Sequence, residues 1–235
     1  MSVPLAPLIT PSPRSPIALQ AVGLTKVYGQ TVALWQADLA ARSGELIALH
    51  GPNASGKSTF LRIIAGLSAP SAGQVVWTRA AGAPAPRIAY VGHAGHLYAA
   101  LSPLENIALT ARLARRPLAD GLELLQRLGV AEVSATPCGE LSAGARRRVA
   151  LARALVADPD VVLFDEPFAS LDAAAAEATA AVLIELRRSG RLVLYASHDE
   201  ARTRRIATRY LRLAGGRVVS DRPLEPADAA TAAGA

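Results

Sequence analysis

The residues best suited to chemistry lie in a glycine-rich stretch early in the chain. Gly51-Pro52-Asn53-Ala54-Ser55-Gly56-Lys57-Ser58-Thr59 fits the pattern G-x-x-x-x-G-K-[ST], which is typical of a loop that binds a polyphosphate. Its glycines let the backbone approach an anion closely, and the amides at the start of the next helix point towards it. Lys57 would supply a mobile positive charge for the outer phosphates, and the Ser58 hydroxyl suits Mg²⁺.

The alternative interpretation of this stretch is an ordinary glycine-rich turn before a helix. The chain has only two lysines, Lys26 and Lys57, and otherwise uses arginine, so a lysine placed where the loop requires one favours phosphate binding. The apolar run at residues 45–50 predicts a strand, and residues 60–66 predict a short helix. A strand before the loop and a helix after it are the context that this motif needs.

A second group of candidate residues follows a short apolar run, Val161 to Phe164. That run predicts a buried parallel strand, and Asp165 and Glu166 close it. The end of such a strand, beside a phosphate loop, is where an α/β sheet places the groups that handle a ligand. Asp165 would hold Mg²⁺ directly or through water, and Glu166 would polarise the water that attacks a γ-phosphate. Two adjacent acids alone are usually a solvated turn, and it is Lys57 upstream that favours a catalytic pair.

Length and composition indicate a chain that can bury a core as one large domain or two small ones. The 235 residues are 51% hydrophobic, much of it alanine, and 19% charged, which is ordinary for an α/β protein. The net charge of +6 permits an acidic partner such as a nucleotide, nucleic acid or anionic lipid, but we attribute most of it to arginines spread over the surface. The single cysteine, Cys138, excludes an internal disulfide and fits a reducing compartment.

The ends of the chain and its apolar runs bear on targeting. No apolar run approaches the ~20 residues that cross a bilayer. Residues 1–16 hold five prolines and no basic region before an apolar core, so we expect a disordered N-terminal tail and not a signal peptide. Residues 223–235 are rich in alanine and proline, and we expect them to be loose as well.

Hydrophobic periodicity predicts strands that alternate with helices. Strands are predicted at residues 17–24, within 31–40, and at 45–50, 74–77, 87–91, 161–164, 191–195, 210–213 and 217–220. Helices are predicted at residues 60–66, 142–157, 173–188 and 199–208, with further helical segments from Ser102 and around residues 122–128. This alternation implies an α/β protein with a mostly parallel sheet and helices on its faces, interrupted by a helical section at about residues 98–157.

A second motif resembles the signature of ABC ATPases. Leu141-Ser142-Ala143-Gly144-Ala145 precedes an arginine-rich run that ends at Ala154. A serine and a glycine at the start of a helix form an anion site, whereas the plain alternative is a capped amphipathic helix with arginines on its wet face. The motif lies just before Asp158 and the strand that ends at Asp165, which is the order these ATPases use. The resemblance covers residues 17–220.

The resemblance implies a P-loop NTPase fold over residues 17–222: an ABC-type nucleotide-binding domain with a mostly parallel core sheet, an antiparallel β part and a helical subdomain. It implies hydrolysis of ATP with Mg²⁺, in which Glu166 and His198 are catalytic and Ser58 and Asp165 hold the metal. Tyr28 matches the aromatic residue that stacks on adenine. Ser170-Leu171-Asp172 matches the D-loop, and His198 matches the switch histidine that senses the γ-phosphate, although a lone histidine at a strand end is more often only a polar terminus.

The resemblance also implies partners and a location. Two copies of the chain would sandwich ATP head to tail, with Lys57 of one copy facing the signature Ser142 of the other. Integral membrane transporter subunits would be the further partners, at the cytoplasmic face of the cell membrane. We expect no nucleic acid partner.

Three positions depart from the family's usual pattern. Ala143 and Ala145 replace a glycine and a glutamine of the signature, and His93 stands at the glutamine position of the Q-loop. Tyr90-Val91-Gly92-His93 resembles the CcmA-type ATPase of the cytochrome c maturation transporter, which implies work on haem delivery. His93 and His96 suggest a metal or haem pair, but no third ligand is visible and a plain loop is the favoured interpretation.

Other functions are alternatives to that branch. Within the family, the chain would serve an exporter of a drug, lipid or peptide. The sequence pI of 10.1 also raises a soluble ABC protein that acts on nucleic acid or ribosomes, but such proteins carry a second cassette or a long coiled-coil insertion, and this sequence has neither. A P-loop kinase would leave the signature motif and His198 unexplained.

Overall fold

The computed structural model of the protein describes residues 15–92 and 95–225. The predictions for residues 1–14 and 226–235 and for His93 therefore lie outside the described residues. Within the described ranges, no helix combines the length and the apolar character that crossing a membrane requires.

The described residues form nine strands and six α-helices. The strands are β1 (Ala18–Tyr28), β2 (Thr31–Arg42), β3 (Leu46–His50), β4 (Ala72–Thr78), β5 (Ile88–Val91), β6 (Val161–Asp165), β7 (Leu192–Ala196), β8 (Arg209–Ala214) and β9 (Arg217–Pro223). The helices are α1 (Lys57–Ile64), α2 (Pro103–Ala114), α3 (Leu118–Arg127), α4 (Ala143–Val156), α5 (Ala173–Arg188) and α6 (Glu200–Ile206), with one 3-10 turn at Cys138–Glu140.

The strands form two sheets. The smaller sheet is antiparallel in the order β2-β1-β4. The larger sheet has the order β5-β6-β7-β3-β8-β9, in which every neighbouring pair is parallel except β8 and β9. The parallel core sheet, the antiparallel part and the inserted helices confirm the predicted fold class.

The core lies on both faces of the larger sheet. Along β3, Ile47 and Leu49 pack with β1, β2 and α1, while Leu46 and Ala48 pack with the helices of the opposite face. Every residue of β3, β6 and β7 is buried. Covered faces on both sides explain why these strands are continuous apolar runs in the sequence and not alternating ones.

The helical section between β5 and β6 begins where the sequence predicts it. Ser102 caps α2: its hydroxyl accepts a hydrogen bond from the Glu105 amide, and the Glu105 carboxylate accepts one from the Ser102 amide at 2.8 Å. Pro103 occupies the first helical position, where its missing N–H costs nothing. The helices α2, α3 and α4 pack against one another.

Two predicted boundaries near the C-terminus are wrong. Helix α6 ends at Ile206, because Thr208 instead donates its backbone N–H to the Leu46 carbonyl at 2.8 Å and leads into β8. Pro223, which the sequence places in the loose tail, ends β9, and the Leu224 amide donates to the Thr208 carbonyl at 2.8 Å. Long-range pairing of this kind leaves no local signal in the sequence.

An ionic cluster lies at the opposite end of β6 from Asp165. Asp158, whose side chain is 1% exposed, accepts a hydrogen bond from Arg191 at 2.8 Å and one from Arg87 at 3.2 Å. Asp160 accepts one from Arg79 at 3.3 Å. These arginines compensate the cost of burying the two carboxylates just before the strand.

Candidate active site

The turn between β1 and β2, the glycine-rich loop and the end of β6 enclose a cavity of about 590 Å³. The structure brings most of the predicted site residues to its walls: Tyr28, Asn53, Ala54, Ser55, Gly56, Lys57, Ser58, Thr59, Asp165, Glu166 and His198. Thr31, Val32, Ala33 and Ala169 also line it. These last residues carry no chemical signature in the sequence. The packing of β2 over the loop reveals the first three, and the segment after β6 brings Ala169 to the cavity.

Glycine is required at two positions of the loop. Gly51 has φ 153° and Gly56 has φ 102°, which are left-handed values. A Cβ on Gly51 would lie 2.1 Å from the Leu213 carbonyl oxygen, and one on Gly56 would lie 2.4 Å from the Ala33 carbonyl oxygen. Both positions are therefore closed to any side chain, and the loop can pass close under β2 and β8.

The middle of the loop holds two unusual groups. Ala54 has φ 61°, a left-handed value that costs an alanine about 1–2 kcal/mol. The hydroxyl of Ser55 is buried and meets no hydrogen-bond partner among the described residues. An unpaired buried hydroxyl beside helix-start amides is a ready donor for a phosphate oxygen.

Lys57 is the first residue of α1, and its ammonium group is held by the loop itself. Its Nζ donates to the carbonyl oxygens of Gly51 at 2.8 Å and Pro52 at 3.0 Å. Burial lowers the pKa of Lys57, and the charges of Glu166 and Asp165 act in the opposite direction. The ammonium group is thus poised above the loop at the point where phosphates would lie.

Asp165 ends β6 at the cavity, and Glu166 follows it. Asp165 is buried, and Glu166 takes a left-handed φ of 58° while its amide donates to the Ala196 carbonyl at 3.0 Å. Burial raises the pKa of Glu166, and neighbouring Asp165 raises it further, while His198 and Lys57 lower it. A carboxylate with a raised pKa is a stronger proton acceptor, which suits a general base.

His198 follows β7 and faces Glu166. Its Nε2 lies 2.9 Å from Glu166 Oε1, and its side chain is 52% exposed at the cavity mouth. Because an ionised carboxylate only accepts hydrogen bonds, Nε2 carries the proton of this contact. The lone histidine at a strand end is therefore more than a polar terminus: it contacts the predicted base directly.

Tyr28 lies at the cavity rim, at the end of β1. Its ring is 48% exposed, and Lys26 Nζ lies 5.0 Å from the ring centre. An exposed aromatic face beside a phosphate loop provides a stacking surface for a planar base. Lys26, which the sequence shows only as the second lysine, supports that ring from outside the cavity.

The predicted signature motif lies outside the cavity of its own chain. Ser142 caps α4 and accepts a hydrogen bond from the Ala145 amide at 3.1 Å. Ser142 and Ala143 are exposed, whereas Leu141, Gly144 and Ala145 are buried. This end of α4 is open to a second molecule, as expected for a motif that acts across a dimer.

The D-loop packs against that same helix. A Cβ on Gly144 would lie 2.6 Å from the Ser170 carbonyl oxygen and 3.3 Å from the Leu171 side chain. Asp172 caps α5 by accepting a hydrogen bond from the Ala175 amide at 2.8 Å. Buried Arg147 donates to the Ala169 carbonyl at 2.7 Å, so α4 fixes the loop that follows Glu166. In the sequence, Arg147 is one member of a basic run, and nothing local marks this contact.

The donor atoms near the loop fit Mg²⁺. Ser58 offers a hydroxyl and Asp165 a carboxylate, both hard oxygen ligands, and both line the cavity. Among the described residues, no group of three or more His, Cys, Asp or Glu side chains could cage a metal by itself. A pair of oxygen donors without a full cage suits an ion that keeps waters and shares phosphate oxygens.

Comparison with known proteins decides the family. A family model described as ABC transporter matches residues 34–169, which include the glycine-rich loop, the signature motif and both strand-end acids. The chain belongs to the ABC transporter family. The matched residues 34–169 include most of the residues that line the candidate active site of this ABC ATPase domain.

Curated relatives include import and export proteins at similar identity. The chain is 37% identical over 210 residues to the sulfate/thiosulfate import ATP-binding protein CysA of Mycobacterium tuberculosis, covering 86% of this chain and 60% of that protein. It is 40% identical over 182 residues to the cytochrome c biogenesis ATP-binding export protein CcmA of Cupriavidus necator, covering 73% of this chain and 80% of that protein. The chain thus spans about 60% of the length of the import relative.

A solved relative has the same fold. A dimeric ATP-binding cassette in a post-hydrolysis state, bound to ADP and phosphate, superposes with a TM-score of 0.80 at 28% identity, covering 88% of this chain and 99% of the other. The prediction of an ABC ATPase fold is confirmed.

Proposed function

We propose that this ABC ATPase domain hydrolyses ATP between two of its own copies and thereby drives membrane transporter subunits. The observation that carries the proposal is the convergence of Lys57, Glu166 and His198 on one cavity from three separate elements. A phosphate-binding cation, a base with a raised pKa and a hydrogen-bond donor on that base are the groups that water attack on a phosphate needs.

In the proposed reaction, nucleotide binding begins at the glycine-rich loop. The amides at the start of α1 and the Ser55 hydroxyl would donate to phosphate oxygens, and Lys57 would exchange its loop carbonyls for the outer phosphates. Ser58 and Asp165 would hold Mg²⁺, which when bound offsets negative charge on the phosphates. Tyr28 would stack on the base at the cavity rim.

Hydrolysis would then depend on Glu166. Its carboxylate would accept a proton from the attacking water, since burial already raises its pKa towards the value a base needs at neutral pH. His198 donates Nε2–H to the same carboxylate in this structure and would turn that donor to the γ-phosphate when nucleotide is present. Its half-exposed side chain leaves room for that movement.

A second copy of the chain would complete the site. Ser142 and Ala143 are exposed at the start of α4 and lie outside their own cavity, so the anion site proposed at this helix start is open to nucleotide held by a partner. The solved relative is a dimer, which supports the same arrangement here. Because Ala143 and Ala145 replace the usual residues, we expect affinity across this dimer to rest on Ser142 and the helix start.

The test of the proposal is ATP binding and hydrolysis by purified protein. Lys57→Ala should abolish tight ATP binding and hydrolysis, while Arg204→Ala, which removes an exposed ion pair with Glu200, should leave both unchanged. Binding can be followed with a fluorescent ATP analogue and hydrolysis by phosphate release. Equal turnover in the wild type and in Lys57→Ala would overturn the proposal.

For the transported substrate, we propose haem delivery for c-type cytochromes. The support is the similarity of Tyr90-Val91-Gly92-His93 to the CcmA-type subunit and the 40% identity to a CcmA protein. The rival is anion import, favoured by 37% identity to a sulfate/thiosulfate import protein over more of this chain. Deleting the gene should abolish haem-stained c-type cytochromes and leave growth on sulfate normal. The reverse result would favour the import function.

His93 is part of the same proposal as the residue that links the nucleotide site to a membrane subunit. It follows β5 in the chain, at the position where the family usually has glutamine. His93→Ala should leave the ATPase rate of the isolated protein largely intact and impair cytochrome c maturation in cells. Normal maturation in that strain would remove the coupling role while leaving the ATPase proposal standing.

A further inference from the structure

Three polar side chains lie together in the apolar core behind the glycine-rich loop. They are His50 at the end of β3, Tyr195 in β7 and Thr203 in α6, exposed by 6%, 0% and 0%. Aliphatic side chains from the same three elements, Leu46 and Ala48 of β3, Val193 of β7 and Ile206 of α6, belong to the core on this face of the sheet. Buried polar groups carry a desolvation cost, so each needs a partner.

The three side chains satisfy one another. Thr203 Oγ1 lies 2.8 Å from His50 Nε2, and the Tyr195 hydroxyl donates to the same oxygen at 3.2 Å. The His50 ring also stacks on Tyr210 of β8, with ring centres 4.9 Å apart. The hydroxyl of Thr203 is therefore the centre of a network that joins β3, β7 and α6.

The number of available donors determines which group donates each hydrogen bond of this network. Tyr195 donates to Thr203, which leaves the hydrogen of Thr203 to donate to Nε2 of a neutral His50 ring. Burial lowers the pKa of His50, which keeps the ring neutral at neutral pH. Each of the two hydroxyl groups then uses its single hydrogen within the network.

The network connects the two halves of the candidate active site. His50 immediately precedes Gly51, the first glycine of the loop, while Tyr195 and Thr203 lie on either side of His198 in the chain. The Thr203 amide donates to the Asp199 carbonyl at 3.1 Å, so Thr203 also holds the residue next to His198. The bond between His50 and Thr203 joins positions separated by 153 residues.

We propose that His50, Thr203 and Tyr195 are positioning residues that fix the His198 loop relative to the phosphate loop. The proposal rests on the proposed function for the role of His198. None of the three residues lines the cavity. The network sets the distance between the group that would sense the γ-phosphate and the loop that would bind it. Loss of the central hydroxyl frees the His198 segment from β3 without removing any group that touches ATP.

The test compares two buried threonines that sit on helices. Thr203→Val should lower kcat for ATP about tenfold, a size expected when a reacting group is misplaced by a fraction of an ångström, with the Kd for ATP changed by less than about twofold. Thr203→Ser, which keeps the hydroxyl, should restore kcat. Thr179→Val is the matched control, because Thr179 is 1% exposed and its hydroxyl only donates to the Ala175 carbonyl within α5.

Two further measurements distinguish an effect of this network from a general loss of stability and from a failure of the proposed function. Amide hydrogen exchange at residues 196–203 should rise in Thr203→Val and in Tyr195→Phe but not in Thr179→Val. This readout needs no ATPase activity, so it decides the network even if the wild type hydrolyses no ATP, a result that would overturn only the proposed function. The kcat effects of Tyr195→Phe and Thr203→Val should not add, since both break one network.

Several results would overturn the network proposal. One is unchanged exchange at residues 196–203 in Thr203→Val. Another is equal loss of kcat in Thr203→Val and Thr179→Val, which would reduce the effect to a general disturbance of the core. A third is full additivity of the Thr203→Val and Tyr195→Phe effects on kcat.

Discussion

His198 Nε2 lies 2.9 Å from Glu166 Oε1, although the two residues follow different strands. The register of the parallel pair β6 and β7 sets this contact. Asp165 pairs with Ala196, and the segments that follow the two strands enter the cavity at the same edge of the sheet. The Glu166 amide also donates to the Ala196 carbonyl, which ties Glu166 to the end of the strand that precedes His198. The edge of the sheet therefore brings the proposed base and the proposed γ-phosphate sensor together.

Replacing Glu166 by glutamine should separate binding from hydrolysis. The amide cannot accept the proton of the attacking water, so we expect kcat to fall by about 10²–10⁴-fold while ATP still binds. Trapped ATP should shift the protein from monomer to dimer, which light scattering with size exclusion measures. Glu177→Gln is the control, since Glu177 is an exposed residue of α5 that forms an ion pair with Arg205 of α6. Normal hydrolysis by Glu166→Gln would rule out this carboxylate as the base.

Replacing Ala54 by glycine should stabilise the protein. Ala54 holds φ 61°, which glycine adopts without steric strain, and the extra chain entropy of glycine offsets only part of the gain. We expect the free energy of unfolding to rise by about 0.5–1 kcal/mol, or about 2 °C in Tm. Ala174→Gly in the first turn of α5 should lower the Tm by a similar amount, because its helical backbone gives glycine no advantage. Calorimetry of both variants checks the difference in sign.

Stability should fall in mild acid because of His50. Burial is the largest cause that lowers the pKa of His50; His198 and Lys57 lower it too, while Glu200 and Asp199 raise it. Between that lowered pKa and about 6.5, the unfolded chain binds a proton that the folded ring does not. The free energy of unfolding should therefore decrease as the pH falls through this window and be flat above about pH 7.5.

Chemical denaturation at several pH values checks the role of His50. His50→Gln should flatten the slope of unfolding free energy between pH 7 and the lowered pKa, at the cost of lower stability at neutral pH. An unchanged slope in this variant would assign the acid sensitivity to other groups.

The ionic cluster before β6 should carry stability without affecting the active site. Asp158 and Arg191 are 1% and 2% exposed at the side chain, so Asp158→Asn leaves buried arginine charge less well paired. We expect a loss of about 3–5 kcal/mol in unfolding free energy. Asp120→Asn, which weakens the more exposed pair with Arg116, should cost under about 1 kcal/mol.

ATP affinity should not change in Asp158→Asn. The four steps along β6 from Val161 to Asp165 span roughly 13 Å at about 3.3 Å per strand residue, and Asp158 precedes the Val161 end of the strand. A large drop in ATP affinity in a variant that remains folded at the assay temperature would contradict this separation of roles.

Local patterns in the sequence were enough for much of the fold. The strand Val161–Asp165 is predictable from the sequence because a buried parallel strand is an apolar run. The phosphate loop is predictable because it needs glycine and lysine at fixed spacing. The N-cap role of Ser102 is also predictable, because capping depends on residues within one helical turn. The end of α6 and the length of β9 are not predictable from the local sequence, since pairing with distant segments sets both.

The sequence by itself determined which groups could do the chemistry: Lys57, Ser58, Asp165, Glu166 and His198 each belong to a motif whose spacing is local. Only the tertiary structure decided how those groups meet. The contact between His198 and Glu166 and the network of His50, Thr203 and Tyr195 join residues whose elements are brought together by strand order and helix packing. Distances of that kind are set by the whole core, because no local propensity fixes where two remote side chains will lie.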